Sequence, residues 1–116
     1  MKPSIYILAA TLALSPVFAF AHAHLEKSTP ADKSSAVAPK MVMLEFEEPV
    51  KVTSITVQKV AVKDAKKLGP LPKEPVAMIH VDAPKLDPGA YVIKWRAVGD
   101  DSHIVSGTVH FTVTAK

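Results

Sequence analysis

Proline and glycine interrupt this chain so often that no long helix fits between them. They stand at Pro30, Pro39, Pro49, Gly69-Pro70, Pro72, Pro75, Pro84, Pro88-Gly89, Gly99 and Gly107. A proline inside a helix removes a backbone donor and clashes with the preceding turn. The stretches between these breaks instead alternate apolar and polar residues with period two, the pattern of a half-buried strand. Val42, Leu44 and Phe46 alternate with Met43 and Glu45, and Ile55 and Val57 alternate with Ser54, Thr56 and Gln58. The pattern recurs from Val76 to Val81. It is strongest where Tyr91, Ile93, Trp95 and Ala97 share one face opposite Lys94 and Arg96, and where Val109, Phe111 and Val113 oppose Thr108, His110 and Thr112. Trp95 and Phe111 are expected to anchor the core. Short strands with turns every ten or so residues predict an all-β chain folded as a β-sandwich. Ala61 to Lys67 lacks the alternation, ends at Gly69-Pro70-Leu71-Pro72, and reads as part of a long surface loop.

The start of the chain is different. Lys2 precedes an apolar run from Ile5 to Phe20, which closes on Ala19-Phe20-Ala21, the small-x-small form that signal peptidase reads. The run is short for a bilayer span and is broken by Ser15 and Pro16. Residues 1–21 are therefore expected to be a cleaved signal peptide and residues 22–116 one secreted, periplasmic domain. Cleavage leaves about 95 residues, enough for a single core. With no cysteine in the chain, the domain folds without disulfides, and a metal would have to be held by nitrogen, oxygen or thioether. Losing Lys2 lowers the formal charge of +3 by one. Scattered lysines and a single arginine, Arg96, form no basic stripe with interleaved aromatics, so no nucleic-acid partner is expected.

Two clusters can carry chemistry. Cleavage would expose His22-Ala23-His24, and a histidine at a free amino terminus can offer its α-amine and its ring nitrogen to one ion. Amine and imidazole nitrogens with a carboxylate suit copper(II), which outcompetes other first-row divalent ions in such a site. The second cluster is Gly99-Asp100-Asp101-Ser102-His103. In an extended segment Asp101 and His103, two residues apart, project the same way and present oxygen and nitrogen together.

These residues resemble the CopC-type periplasmic copper-binding proteins over essentially the whole mature chain. The opening, His22-Ala23-His24-Leu25-Glu26-Lys27-Ser28-Thr29-Pro30-Ala31, is similar to the family's first-position histidine followed by a leucine and S-T-P-A. Tyr91 to Val98, then Asp101-Ser102-His103, Gly107 and Phe111-Thr112-Val113, resemble the family pattern Y-x-V-x-W-R-x-x-S-x-D-x-H-x-x-x-G-x-x-x-F-x-V. Gly99 stands where that pattern has serine. The resemblance implies an Ig-like or cupredoxin-like Greek-key β-sandwich or barrel of about seven strands. It implies one copper(II) ion held by His22, through amine and ring, with Asp101 and His103. Glu48 matches an acidic position sometimes near the metal. His24 also permits binding through the amine and two ionised amides. A preorganised site avoids that ionisation, which leaves His24 a bystander or weak extra ligand.

Well-known members of the family carry a methionine-rich loop that binds copper(I). The corresponding stretch here, Val60 to Pro75, has no methionine, so that copper(I) site is expected to be absent. Met41, Met43 and Met78 lie in strand patterns and are expected to pack. His80 and His110 are expected to face solvent or core. The expected function is copper(II) sequestration, or delivery to an inner-membrane copper transporter or periplasmic acceptor, by a monomer that is not an enzyme. One alternative is an oxidative copper enzyme of the N-terminal-histidine type, which would need exposed aromatics to grip a glycan. Another is a metal-free Ig-like interaction module.

Overall fold

In the computed structural model of the chain, residues 24–115 are described. The expected signal peptide, residues 1–21, and His22 lie outside them. Every regular element among the described residues is a strand: β1 (Leu25–Thr29), β2 (Ser34–Val37), β3 (Met41–Lys59), β4 (Ala65–Lys67), β5 (Val76–Asp82), β6 (Gly89–Val98) and β7 (Ile104–Thr114).

The alternation that starts at Met41 does not stop at Pro49, and β3 runs on for 19 residues. Its first half pairs antiparallel with β1 and β5, its second half with β4 and β6. Regular pairing with β5 lapses between Glu45 and Val50, and pairing with β6 begins at Lys51. Proline has no N–H to give to a ladder, so Pro49 falls where the strand leaves one sheet for the other. Sheet A is thus β1, the first half of β3, and β5. Sheet B carries β4, the second half of β3, β6 and β7, with β2 added parallel to β7. This is the expected seven-stranded β-sandwich.

Between the layers lie Val42, Leu44, Phe46, Ile79 and Val81 from sheet A and Val52, Ile55, Val57, Ile93, Trp95, Val109, Phe111 and Val113 from sheet B, all buried. The Phe46 ring meets the Trp95 indole edge-on, with centroids 5.1 Å apart, and ties the two sheets together. Tyr91 stacks on Phe111, and its hydroxyl donates to the Asp87 carbonyl at 2.7 Å. The inward faces are those the alternation predicts.

Three readings are corrected. The surface loop expected over Ala61 to Lys67 contains β4, which pairs with Thr56–Gln58 of β3. A turn at Ala61 (φ 77°) reverses the chain, and buried Leu68, whose N–H donates to the Ile55 carbonyl at 2.8 Å, holds the strand in place. The sequence pattern marks neither β1 nor β2 as a strand. A bulge between Leu25 and Lys27 breaks the alternation of β1, and β2 is fastened from outside its own sequence, by Asp32 Oδ1 accepting from the His110 N–H at 2.8 Å. Finally, the methionines expected to pack do not enter the core. Their neighbours Val42, Leu44 and Ile79 take the inward positions, so Met41 and Met78 are exposed and Met43 half-buried on the outer face of sheet A. His80 and His110 face solvent.

Candidate metal centre

The loop that joins β6 to β7 is a closed turn. Val98 pairs with Ile104 at its base. Gly99 N–H donates to the His103 carbonyl at 2.9 Å, and Ser102 N–H donates to the Gly99 carbonyl at 2.9 Å. Ser102 takes a positive φ of 69° to complete the reversal. A Cβ on Gly99 would sit 3.3 Å from Asp101 Oδ1, so glycine gives that carboxylate room.

Within this turn Asp101 and His103 are joined twice. Asp101 Oδ1 accepts the His103 backbone N–H at 3.1 Å, and Asp101 Oδ2 lies 2.8 Å from His103 Nδ1. The hydrogen bond from the ring, and next the one from the backbone, hold the Asp101 carboxyl below its ordinary value of 3.8. Side-chain exposures of 79% for His103 and 41% for Asp101 leave the pair in solvent, where an ion pair adds little stability. Its effect is orientation. A carboxylate on Nδ1 selects the tautomer with the proton there and leaves Nε2 as the free donor, the arrangement that prepares an imidazole for a metal.

Glu48 stands at the corner of β3 and lines a cleft with Pro49, Lys51, Pro75, Val98, Gly99 and Asp100. The fold therefore brings Glu48 to a cleft at the base of the turn that Asp100 also lines, an acidic residue whose spacing from His103 does not single it out. His24 is exposed at the entry to β1, and its carbonyl accepts the Glu47 N–H at 2.9 Å. Among the described residues no three histidine, cysteine or acidic side chains converge on one point. Asp101 and His103 form a hydrogen-bonded pair in the turn, Glu48 shares a cleft with Gly99 and Asp100, and His24 is tied through its carbonyl to Glu47.

A family model described as the CopC domain matches residues 25–114, which takes in β1 through β7. The chain belongs to the CopC family. A copper resistance protein C from Pseudomonas syringae pv. tomato is 34% identical over 125 residues, covering 97% of this chain and 96% of the relative. Among solved structures, CopC from Methylosinus trichosporium OB3b superposes with a TM-score of 0.69 at 32% identity, over 81% of this chain and 95% of its own. PcoC, a methionine-rich copper resistance protein from Escherichia coli, gives 0.62 at 26% identity, over 81% of this chain and all (100%) of its own. The chain has the family's sandwich, with its D-x-H turn at the same end as the cleft that contains Glu48.

Proposed function

We propose that this protein is exported to the periplasm by cleavage after Ala21 and there binds one copper(II) ion for sequestration or delivery. In this reading His22 supplies its α-amine and ring nitrogen, His103 supplies Nε2, and Asp101 orients His103 and completes the charge of the site. Copper resistance relatives matched over nearly their whole length support the cargo. The observation that carries the site is the entry of β1. His24 is held against Glu47, one residue from Glu48, and Glu48 shares a cleft with the base of the 99–103 turn. A chain advances at most about 3.6 Å per residue, so an end two residues beyond His24 has roughly 7 Å in which to reach the turn. Glu48 and Asp100, which line one cleft at the base of the turn, are the further carboxylates of this reading, and His24, held at the strand entry, is a weak extra ligand at most.

Amine, imidazole and carboxylate are hard-to-borderline donors that suit copper(II). Reduction of the ion weakens its hold and favours release to an acceptor, an inner-membrane transporter or another periplasmic protein. Binding rather than catalysis fits the surface as well. Phe46, Tyr91, Trp95 and Phe111 are all buried, so the described residues present no aromatic platform for a glycan. Oxidation of polysaccharide by the copper-loaded protein with a reductant would reverse that assignment.

The test is a copper(II) titration followed by electron paramagnetic resonance, on protein beginning at His22 and on protein with one extra residue in front. The extra residue converts the amine to an amide and should abolish the tight site while the β-sheet circular dichroism persists. Equal affinity in the two proteins would overturn the proposal.

A further inference from the structure

Sheet A carries an unusual outer face. In β3 the inward positions are Val42, Leu44 and Phe46, so Met41, Met43 and Glu45 point out. In β5 Ile79 and Val81 point in, so Met78, His80 and Asp82 point out. The register sets these side chains against one another. Met43 lies opposite His80, Met41 opposite Asp82 and Met78 opposite Glu45. On the far side of β3, Thr29 and Lys27 of β1 lie opposite Met43 and Glu45. Every methionine after Met1 is on this one face.

We infer that the Met43–His80 pair, with Met78 and Met41 on either side of it, is a binding site for a soft monovalent metal ion, copper(I) or silver(I). Directly opposed residues in an antiparallel pair have Cβ atoms about 5 Å apart, and diagonal neighbours about 7 Å. Methionine has three rotatable bonds beyond its Cα, so thioethers from Met43 and either neighbour can close on the ion that the His80 ring holds. Thioether and imidazole together select copper(I) over the divalent ions. The chain has no cysteine, so these are its softest donors. Exposure also argues for a role. Met41 is 46% and Met78 44% exposed, on a face whose other outward residues are polar, and clustered exposed apolar side chains usually mark a site of interaction. The two carboxylates that frame the group, Glu45 and Asp82, favour a cation, with Lys27 of β1 opposite Glu45 in register. Strand rise places Met43 about 17 Å along β3 from Glu48. The site is thus separate from the proposed copper(II) centre and does not depend on it. It also differs from the loop over Val60 to Pro75, which has no methionine.

Silver(I), closed-shell and resistant to oxidation, is the probe. It is titrated into isotopically labelled exported protein while the methionine ε-methyl and histidine ring resonances are followed. At one equivalent the Met43 ε-methyl, that of Met78 or Met41, and the His80 ring should shift together. M43L combined with M78L keeps side-chain volume and should weaken silver(I) at least tenfold while leaving the copper(II) titration unchanged. His103→Ala should do the reverse. The site does not exist if the methionine methyls stay in place at one equivalent, if the double variant binds silver(I) as tightly as the parent, or if His103→Ala alone removes silver(I) binding.

Discussion

Gly107 lies directly across β7 and β6 from Trp95, and a Cβ at position 107 would fall 2.7 Å from Trp95 Cζ2 and 2.9 Å from Nε1. The indole fills the volume a side chain would need, and Phe46 closes its other side. Gly107→Ala should therefore displace the ring and cost about 1–3 kcal/mol, the usual range for overpacking a tight core. Urea denaturation followed by tryptophan fluorescence reads both the lost stability and the altered indole environment. An unchanged midpoint would mean that the ring moves freely.

Phe46 should be more costly still. It joins the layers through Trp95, and Phe46→Ala leaves a void between two sheets that share one strand and cannot easily collapse. A loss of about 3–5 kcal/mol is expected, measured by the same denaturation.

The Asp101–His103 pair sets a pH dependence whose sign is fixed. Hydrogen bonds from His103 lower the Asp101 carboxyl in the folded protein. Their small contribution is present above the carboxyl's ordinary value and is lost as pH falls through the lowered one. In metal-free protein a carboxyl carbon titration by NMR should place Asp101 below 3.8. His103→Ala should move that midpoint upward.

Copper(II) affinity should respond to the same pair. Asp101→Asn preserves shape, removes the charge and no longer enforces a proton on Nδ1. The loss expected for an orienting carboxylate is about 10- to 100-fold. His103→Ala removes the proposed ligand and should cost more, with no comparable loss of thermal stability because the side chain is in solvent. Competition against a chelator of known affinity measures both.

The β4 strand depends on one residue. Leu68 is its buried anchor, and Leu68→Ala should cost about 2 kcal/mol and release β4 first. Hydrogen exchange would then speed up at Ala65 to Lys67 and at the facing amides of Thr56 to Gln58, with β6 and β7 unaffected.

Alternation made the sandwich legible because the two layers meet along five strongly patterned runs, and Leu44, Ile93 and Val109 are inward as their periodicity demands. It could not show β1, whose bulge resets the period, nor β2 and β4, which bury almost nothing of their own and are held by Asp32 and Leu68. Strand phase already sets Met41 and Met43 opposite Val42 and Leu44; what it does not show is how little the outer face of sheet A covers Met41 and Met78. For the candidate site, spacing singled out Asp101 and His103 but on the premise of an extended segment, where the structure has a turn through Ser102 that sets the two side chains against each other. It could not reveal that the carboxylate already grips Nδ1, because that depends on the turn closed by Gly99 and Ser102. The approach of Glu48 depends likewise on where β3 changes sheets.

Sheet B is bounded by its least strand-like segments, the four residues of β2 and the three of β4. Short edges offer another polypeptide little unpaired backbone on which to grow a ladder. A chain with no cysteine to cross-link it is, on that side, poorly suited to seed fibrils.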